Sequence, residues 1–155
     1  MKLLVACGGR EYENRACVAF WLARARAAGF GRLAVGDARG ADRLCAEEGR
    51  RLGFSVVVLF ADWRGLGWGA GFIRNQALVD LRPDACLAFP GGRGTADTVR
   101  RCRAAGIPVR VAATQPPLPQ PEPAAVLENR TYYHTTTLCG RTFRQRCAKE
   151  DCHYA

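Results

Sequence analysis

Four short clusters carry side chains that could do chemistry; each sets glycines or a turn beside an arginine, and all but the first add a carboxylate. They are Gly8-Gly9-Arg10; Gly36-Asp37-Ala38-Arg39-Gly40-Ala41-Asp42; Ala61-Asp62-Trp63, followed through a Gly-rich loop by Ala70-Gly71-Phe72-Ile73-Arg74-Asn75; and Pro90-Gly91-Gly92-Arg93-Gly94-Thr95-Ala96-Asp97. Glycines let a backbone approach an anion and converge its N–H groups, and a helix that starts there adds free donors and the positive end of its dipole. Thr95 then stands as a helix N-cap or as a phosphate-binding hydroxyl. A tight strand-to-helix turn would use the same residues, so one such cluster says little. Two in a small domain point to a nucleotide or phosphorylated sugar, provided that Gly8-Gly9 and Gly91 to Gly94 face one crevice.

Single side chains carry paired readings. Arg39, Arg74 and Arg93 each offer a planar fork suited to phosphate, or are solvated or carboxylate-paired surface arginines. Asp42 caps a helix or holds a ribose hydroxyl. Asp62 is a general-base candidate or a turn-forming Asp, and Trp63 stacks on a base or simply packs.

The elements that must position these clusters alternate. Runs rich in strand formers at Leu3 to Cys7, Arg32 to Val35, Ser55 to Phe60, Ala85 to Phe89 and Val109 to Ala112 are separated by helical patterns, which predicts an α/β fold with a mainly parallel sheet. Val18, Trp21, Leu22 and Ala25 form a helical apolar stripe with Arg15, Arg24 and Arg26 off it, and Gly29 stops that helix. Gly53 and Gly106 end two further helices, and Pro83 closes another after Ile73, Ala77 and Leu81. All but one of the clusters follow directly on a predicted strand, where open α/β sheets bind ligands.

Gln115 to Pro123 holds five Pro in nine residues and reads as a polyproline-type linker. Residues 126–155 show little periodicity. Their Cys139, Cys147, Cys152 and His153, with His134, are ligand types for zinc, but their spacing contains no C-x-x-C, so a flexible or partner-binding extension is the expectation. Cys7, Cys17, Cys45, Cys86 and Cys102 sit in apolar runs and read as core thiols.

At 155 residues, 48% hydrophobic and 24% charged, the composition excludes wholesale disorder, a collagen repeat and a disulfide miniprotein. No apolar run approaches the roughly 20 residues of a membrane span. The net charge of +9, carried almost wholly by Arg and concentrated before residue 114, fits anion recognition or an Arg-favouring genome, and leaves nucleic acid as a partner without a recognisable reading motif. Leu4-Val5-Ala6-Cys7 imitates a lipoprotein box, but the apolar run before it is too short for an export signal; a cytoplasmic location is expected.

Taken in order, Gly-Gly-Arg, Gly-x-Ala-Arg-Gly-Ala-Asp, Ala-Asp-Trp, Ala-Gly-x-Ile-Arg-Asn and Phe-Pro-Gly-Gly-Arg-Gly-Thr-Ala-Asp resemble the YspA-like, cpYpsA-related branch of the SLOG superfamily over residues 1 to about 112. The resemblance implies a Rossmann-like five-stranded sheet ordered 3-2-1-4-5 with helices on both faces. It also implies a nucleotide-derived ligand of the NAD or ADP-ribose type, bound without a required cofactor by Gly8, Gly9, Arg10, Gly36, Arg39, Gly40, Asp42, Trp63, Asn75 and the turn from Pro90 through Gly91, Gly92, Arg93 and Gly94 to Thr95. Related LOG-type phosphoribohydrolases carry Pro-Gly-Gly-x-Gly-Thr-x-x-Glu; here the Glu position is Thr98, and Asp97 stands one residue early, about 100° round the helix. A nucleotide N-glycoside hydrolase using Asp62, Arg74 or Asp97 is therefore the alternative, and a nucleic-acid-binding accessory protein a third. The expected organisation is a ligand-binding domain at 1–113, a linker at 114–125 and an extension at 126–155, with self-association left open and no membrane partner.

Overall fold

A computed structural model describes residues 1–112 in full and the backbones of two later strands. The first part runs β1 (Lys2–Cys7), α1 (Arg15–Ala27), β2 (Phe30–Gly36), α2 (Ala41–Arg51), β3 (Ser55–Leu59), α3 (Trp63–Leu66), a single 3-10 turn, α4 (Ala70–Asp80), β4 (Ala85–Ala88), α5 (Arg93–Ala104) and β5 (Val109–Val111). The strands pair in parallel in the order β3-β2-β1-β4-β5. This is the Rossmann-like sheet expected from the sequence, and its switch point lies between β1 and β4.

Alternation along β1 builds the two layers. Leu4 and Ala6 face α1 and α2, joining Val18, Leu22, Leu33 and Phe89 in one core cluster, while Leu3, Val5 and Cys7 face α4 and α5 with Leu78, Val79 and Cys102 in the other. Cys7, Cys17, Cys45, Cys86 and Cys102 are buried free thiols. Asn14 caps α1, its side chain accepting from Cys17 N at 3.0 Å. Gly29, Gly53 and Gly106 end three helices at φ of 89°, 79° and 73°, the left-handed conformation that carries no Cβ penalty in glycine.

One helical face differs from expectation. Ile73 and Leu81 are 53% and 40% exposed, and α4 instead buries Ala70, Asn75, Leu78 and Val79. Apolar residues occupy two sides of this helix, and packing takes the side that also turns Arg74 and Asn75 inward, where both find polar partners.

Tyr132–Leu138 (β6) and Arg141–Cys147 (β7) pair antiparallel, with Tyr132 opposite Cys147 and Leu138 opposite Arg141. The strand-favouring Tyr, Thr and Phe of these runs were the available signal. The chain divides into two compact units, Met1–Pro117 and Leu118–Ala155. The expected Pro-rich linker, and the side chains of the tail cysteines and histidines, lie outside the described residues. Among the described residues no helix is long and apolar enough to cross a membrane, and no group of His, Cys, Asp and Glu is arranged to hold a metal.

Candidate functional site

The loops at the carboxyl ends of β1, β2 and β4 meet at Gly9. Its N–H donates to Pro90 O at 2.9 Å, and its carbonyl accepts from Ala41 N at 3.0 Å and Tyr12 N at 3.2 Å. So close an approach of backbones needs glycine. A Cβ on Gly9 would stand 3.0 Å from Pro90 O and 3.1 Å from Gly91 Cα, one on Gly91 would lie 2.6 Å from Gly9 N, and one on Gly8 would run into the Ala41 and Phe89 side chains. These three glycines are thus accounted for by packing within the chain.

Gly92 and Gly94 are different. A Cβ at either meets nothing within 4 Å, and neither has a positive φ. Gly92 is the N-cap of α5 and contributes no side-chain hydrogen bond. Thr95 is consequently not the N-cap but the third residue of the helix, with its hydroxyl lying over Gly91. The mouth of α5 presents exposed backbone and the exposed Arg93 side chain, which no described carboxylate pairs.

A cleft of about 330 Å³ opens among the loops that follow β1, β2 and β3, lined by Arg10, Asp37, Ala38, Arg39 and Trp63. Trp63 is 44% exposed, and the Arg10 guanidinium lies over its ring at 5.6 Å from the centroid, a cation–π arrangement that holds both side chains at the rim. Arg39 forms an exposed pair with Glu11.

Beneath the cleft lies an ion network centred on Arg74. Its guanidinium sits 2.7 Å from Asp37 Oδ1 and 3.7 Å from Asp42 Oδ2, and its Nε donates to Asn75 Oδ1 at 3.3 Å. Gly36 leaves the room this requires, since a Cβ there would overlap the guanidinium. Asp37 also accepts from Ala61 N at 3.3 Å and so ties the loop after β3 to the end of β2. Asp42 lies within the first turn of α2, whose N-cap is Gly40, and accepts from Ala38 N at 3.4 Å. It is a loop brace rather than a helix cap.

Burial pushes the Asp42 carboxyl up from 3.8 to about 6; Arg74 and the Ala38 N–H oppose the rise, and the neighbouring Asp37 charge adds to it. Because the folded value lies above the unfolded one, the native state holds an extra proton between about pH 4 and 6, and stability attributable to Asp42 falls as pH rises through that window. Asp42→Asn removes this titration. Its stability relative to the parent is expected to improve by about 2 to 3 kcal/mol between pH 4 and pH 7. Urea denaturation at both values checks this, with the other carboxylates cancelling because both proteins contain them; an unchanged difference would show Asp42 to be ordinary.

Three residues expected at the ligand prove to join α4 to α5 or to cap a helix. Asn75, 4% exposed, donates to Gly94 O and to Asp97 Oδ2, each at 3.2 Å. Asp97, 7% exposed, also accepts from Arg100 at 2.5 Å and Arg101 at 2.7 Å. Burial acts to raise the Asp97 carboxyl, but hydrogen bonds from Arg101, Arg100 and Asn75 together hold it below its ordinary value. Asp62 is exposed and caps α3, accepting from Gly65 N at 2.9 Å. Neither Asp62 nor Asp97 borders the cleft, whereas Asp37, which the sequence reading passed over, lines it. Its signal was available: it is the first charged residue after the second strand.

No family model matches the chain. Over 120 residues it is 38% identical to the Gene 61 protein of Mycobacterium phage D29, a match covering 70% of this chain and 94% of that protein. Among solved structures it resembles the X-ray structure of TM1055, with a TM-score of 0.57 at 21% identity over 70% of this chain and 72% of the other. At that identity the likeness shows the fold alone, a Rossmann-like parallel α/β sheet.

Proposed function

We propose that this chain, which belongs to the family of the Gene 61 protein of Mycobacterium phage D29 and has a Rossmann-like sheet, is a YspA-like SLOG domain binding a nucleotide-derived ligand of the NAD or ADP-ribose type. A ligand phosphate rests on the first turn of α5, over Gly92 to Thr95, and the nucleoside lies across Gly9 and Arg10 in the cleft bounded by Trp63. The observation that carries this reading is the pair Gly92 and Gly94, glycines that the chain's own packing does not require, set where a helix starts without a side-chain cap. A backbone free of side chains at that point is what close approach of an anion needs.

The same geometry does not favour hydrolysis through the residues that the sequence suggested. Cleaving a glycosidic bond requires a carboxylate within reach of water or of the ribose. Asp62 and Asp97 are instead engaged in a helix cap and in an ion network, and Arg74 is enclosed by carboxylates.

A thermal-shift and calorimetric screen against NAD, ADP-ribose and nucleoside monophosphates tests the reading. In Gly92→Val the new Cβ meets nothing within 4 Å, so the melting temperature should stay within a few degrees of the parent while affinity for the bound nucleotide falls at least tenfold, about 1.4 kcal/mol or more. Retained affinity in a folded variant would remove the phosphate from this turn.

A further inference from the structure

Four arginines stand in a row along the carboxyl edge of the sheet. In the lateral order of the strands, Arg64 follows β3, Arg39 follows β2, Arg10 follows β1 and Arg93 opens the helix after β4, and all four are exposed. Neighbouring strands lie about 4.8 Å apart, so the loops that carry the row are set at steps of that size over about 14 Å. Most carboxylates of the same loops are occupied: Asp37 by Arg74, Asp62 by the Gly65 N–H and Glu11 by Arg39, which leaves Glu13. Arg10, Arg64 and Arg93 form no ion pair among the described residues.

At the β3 end the row runs into aromatic rings. Phe60 is 80% exposed and Trp68 96%, and Phe72 is exposed as well, all within one segment that leads from the end of β3 through α3 and the 3-10 turn into α4. Trp63 joins this segment to the row, since the Arg10 guanidinium lies over its ring. The core makes no use of Phe60, Trp68 or Phe72; α4 turns Ala70, Asn75, Leu78 and Val79 inward instead. Exposed apolar groups concentrated in this way mark a binding surface.

We propose that this edge binds single-stranded nucleic acid, with phosphates on the arginine row and unpaired bases on the rings of Phe60, Trp68 and Phe72. The proposal goes beyond the nucleotide reading, which uses none of those three rings. Charge decides the class of partner. A strand of phosphates complements a row of cations and gains by releasing its counterions, and aromatic faces accept any base that a duplex does not already hold stacked. A second copy of the chain fits less well, because a two-fold contact centred on this face would set its arginines against their own counterparts. A bilayer surface calls for an amphipathic helix lying in it, and α3 has only four residues.

Fluorescence anisotropy on the full chain, with labelled oligo-dT, oligo-U and a mixed-sequence duplex of equal length, tests this. The single strands should bind at least about tenfold tighter than the duplex, and log K should fall against log salt with a slope of about −2 to −3, the value for three to four neutralised phosphates. Trp68→Ala alters a ring that the fold leaves in solvent; it should weaken single-strand binding at least about fivefold while the salt slope and the affinities for AMP and NAD stay as in the parent. Arg64→Gln should flatten the slope by about 0.7. A preference between oligo-dT and oligo-U tells DNA from RNA as the source of the strand. No binding of either strand at low salt overturns the proposal, as does a duplex bound as tightly as the single strands, or a Trp68→Ala variant that binds them like the parent. With neither strand bound, association with phosphatidylserine vesicles, or dimerisation in sedimentation that Trp68→Ala abolishes, would hand the surface to a membrane or to a second copy. AMP or NAD bound without either strand leaves the nucleotide reading standing alone, and strands bound without any nucleotide remove that reading and keep this one.

Discussion

Arg74→Ala should destabilise the protein by about 3 to 5 kcal/mol at pH 7, the range found when one partner of a buried ion pair is removed and the other is left without compensation. The Arg74 side chain is 11% exposed, and its guanidinium lies between Asp37, in the loop after β2, and Asp42, in the first turn of α2. Without it two carboxylates face each other in a poorly hydrated space, and Asn75 Oδ1 loses its donor. The Asp42 carboxyl, already raised to about 6 with Arg74 in place, must rise further when that cation is gone. Proton uptake by Asp42 then limits the loss, so the cost should be smaller at pH 5 than at pH 7. Adding Asp42→Asn to Arg74→Ala should recover part of it at pH 7, and a double-mutant cycle in urea reads the coupling directly. An arginine whose work is to hold a ligand phosphate would behave otherwise: its removal would leave stability unchanged and lower affinity alone. That outcome would return Arg74 to the role its sequence context suggests.

The contrast explains what was legible in the sequence. Strand positions, helix ends at Gly29, Gly53 and Gly106, and the Gly-rich turn opening α5 are local features, written in residue types within a few positions of one another. The order of the sheet was implied by the family resemblance that the serial motifs carry. The partners of a guanidinium are not local. Asp37 and Arg74 are 37 residues apart and Asn75 and Asp97 are 22 apart, so whether each arginine or aspartate faces a ligand or another side chain is decided only when α4 packs. The inward face of α4 was itself obscure, since Phe72 and Ile73 compete with Leu78 and Val79 for the sheet and periodicity alone does not choose. For the same reason Asp37 and Asp42, five residues apart in one motif, could not be told apart until one was seen at the cleft and the other beneath it. Glycine is ambiguous in a similar way: Gly9 and Gly92 look alike in sequence, yet one is required by packing and the other is not.

Gly40→Ala is expected to cost about 3 kcal/mol or more, because two penalties coincide there. Its φ of 75° with ψ of −126° is a conformation L residues rarely adopt, worth about 1 to 3 kcal/mol by itself. A Cβ at this position would also overlap the carbonyl oxygens of Gly9 and Arg10, which are backbone atoms and cannot swing aside. The loop carrying them has little freedom to retreat, since Gly9 is held through its carbonyl by Ala41 N and Tyr12 N and through its N–H by Pro90 O. Relief must therefore come from separating the start of α2 from the end of β1, which would also deform the cleft between Arg10 and Asp37. Gly29→Ala is the control. Its φ of 89° is also positive, but a Cβ there meets nothing within 4 Å, so its cost should stay near 1 to 2 kcal/mol. Chemical denaturation compares the costs of the two variants, and nucleotide titration should show affinity lost in Gly40→Ala alone. Equal costs, with binding preserved in both, would mean that the junction of the three loops yields readily and that the close approach at Gly40 is not what shapes the site.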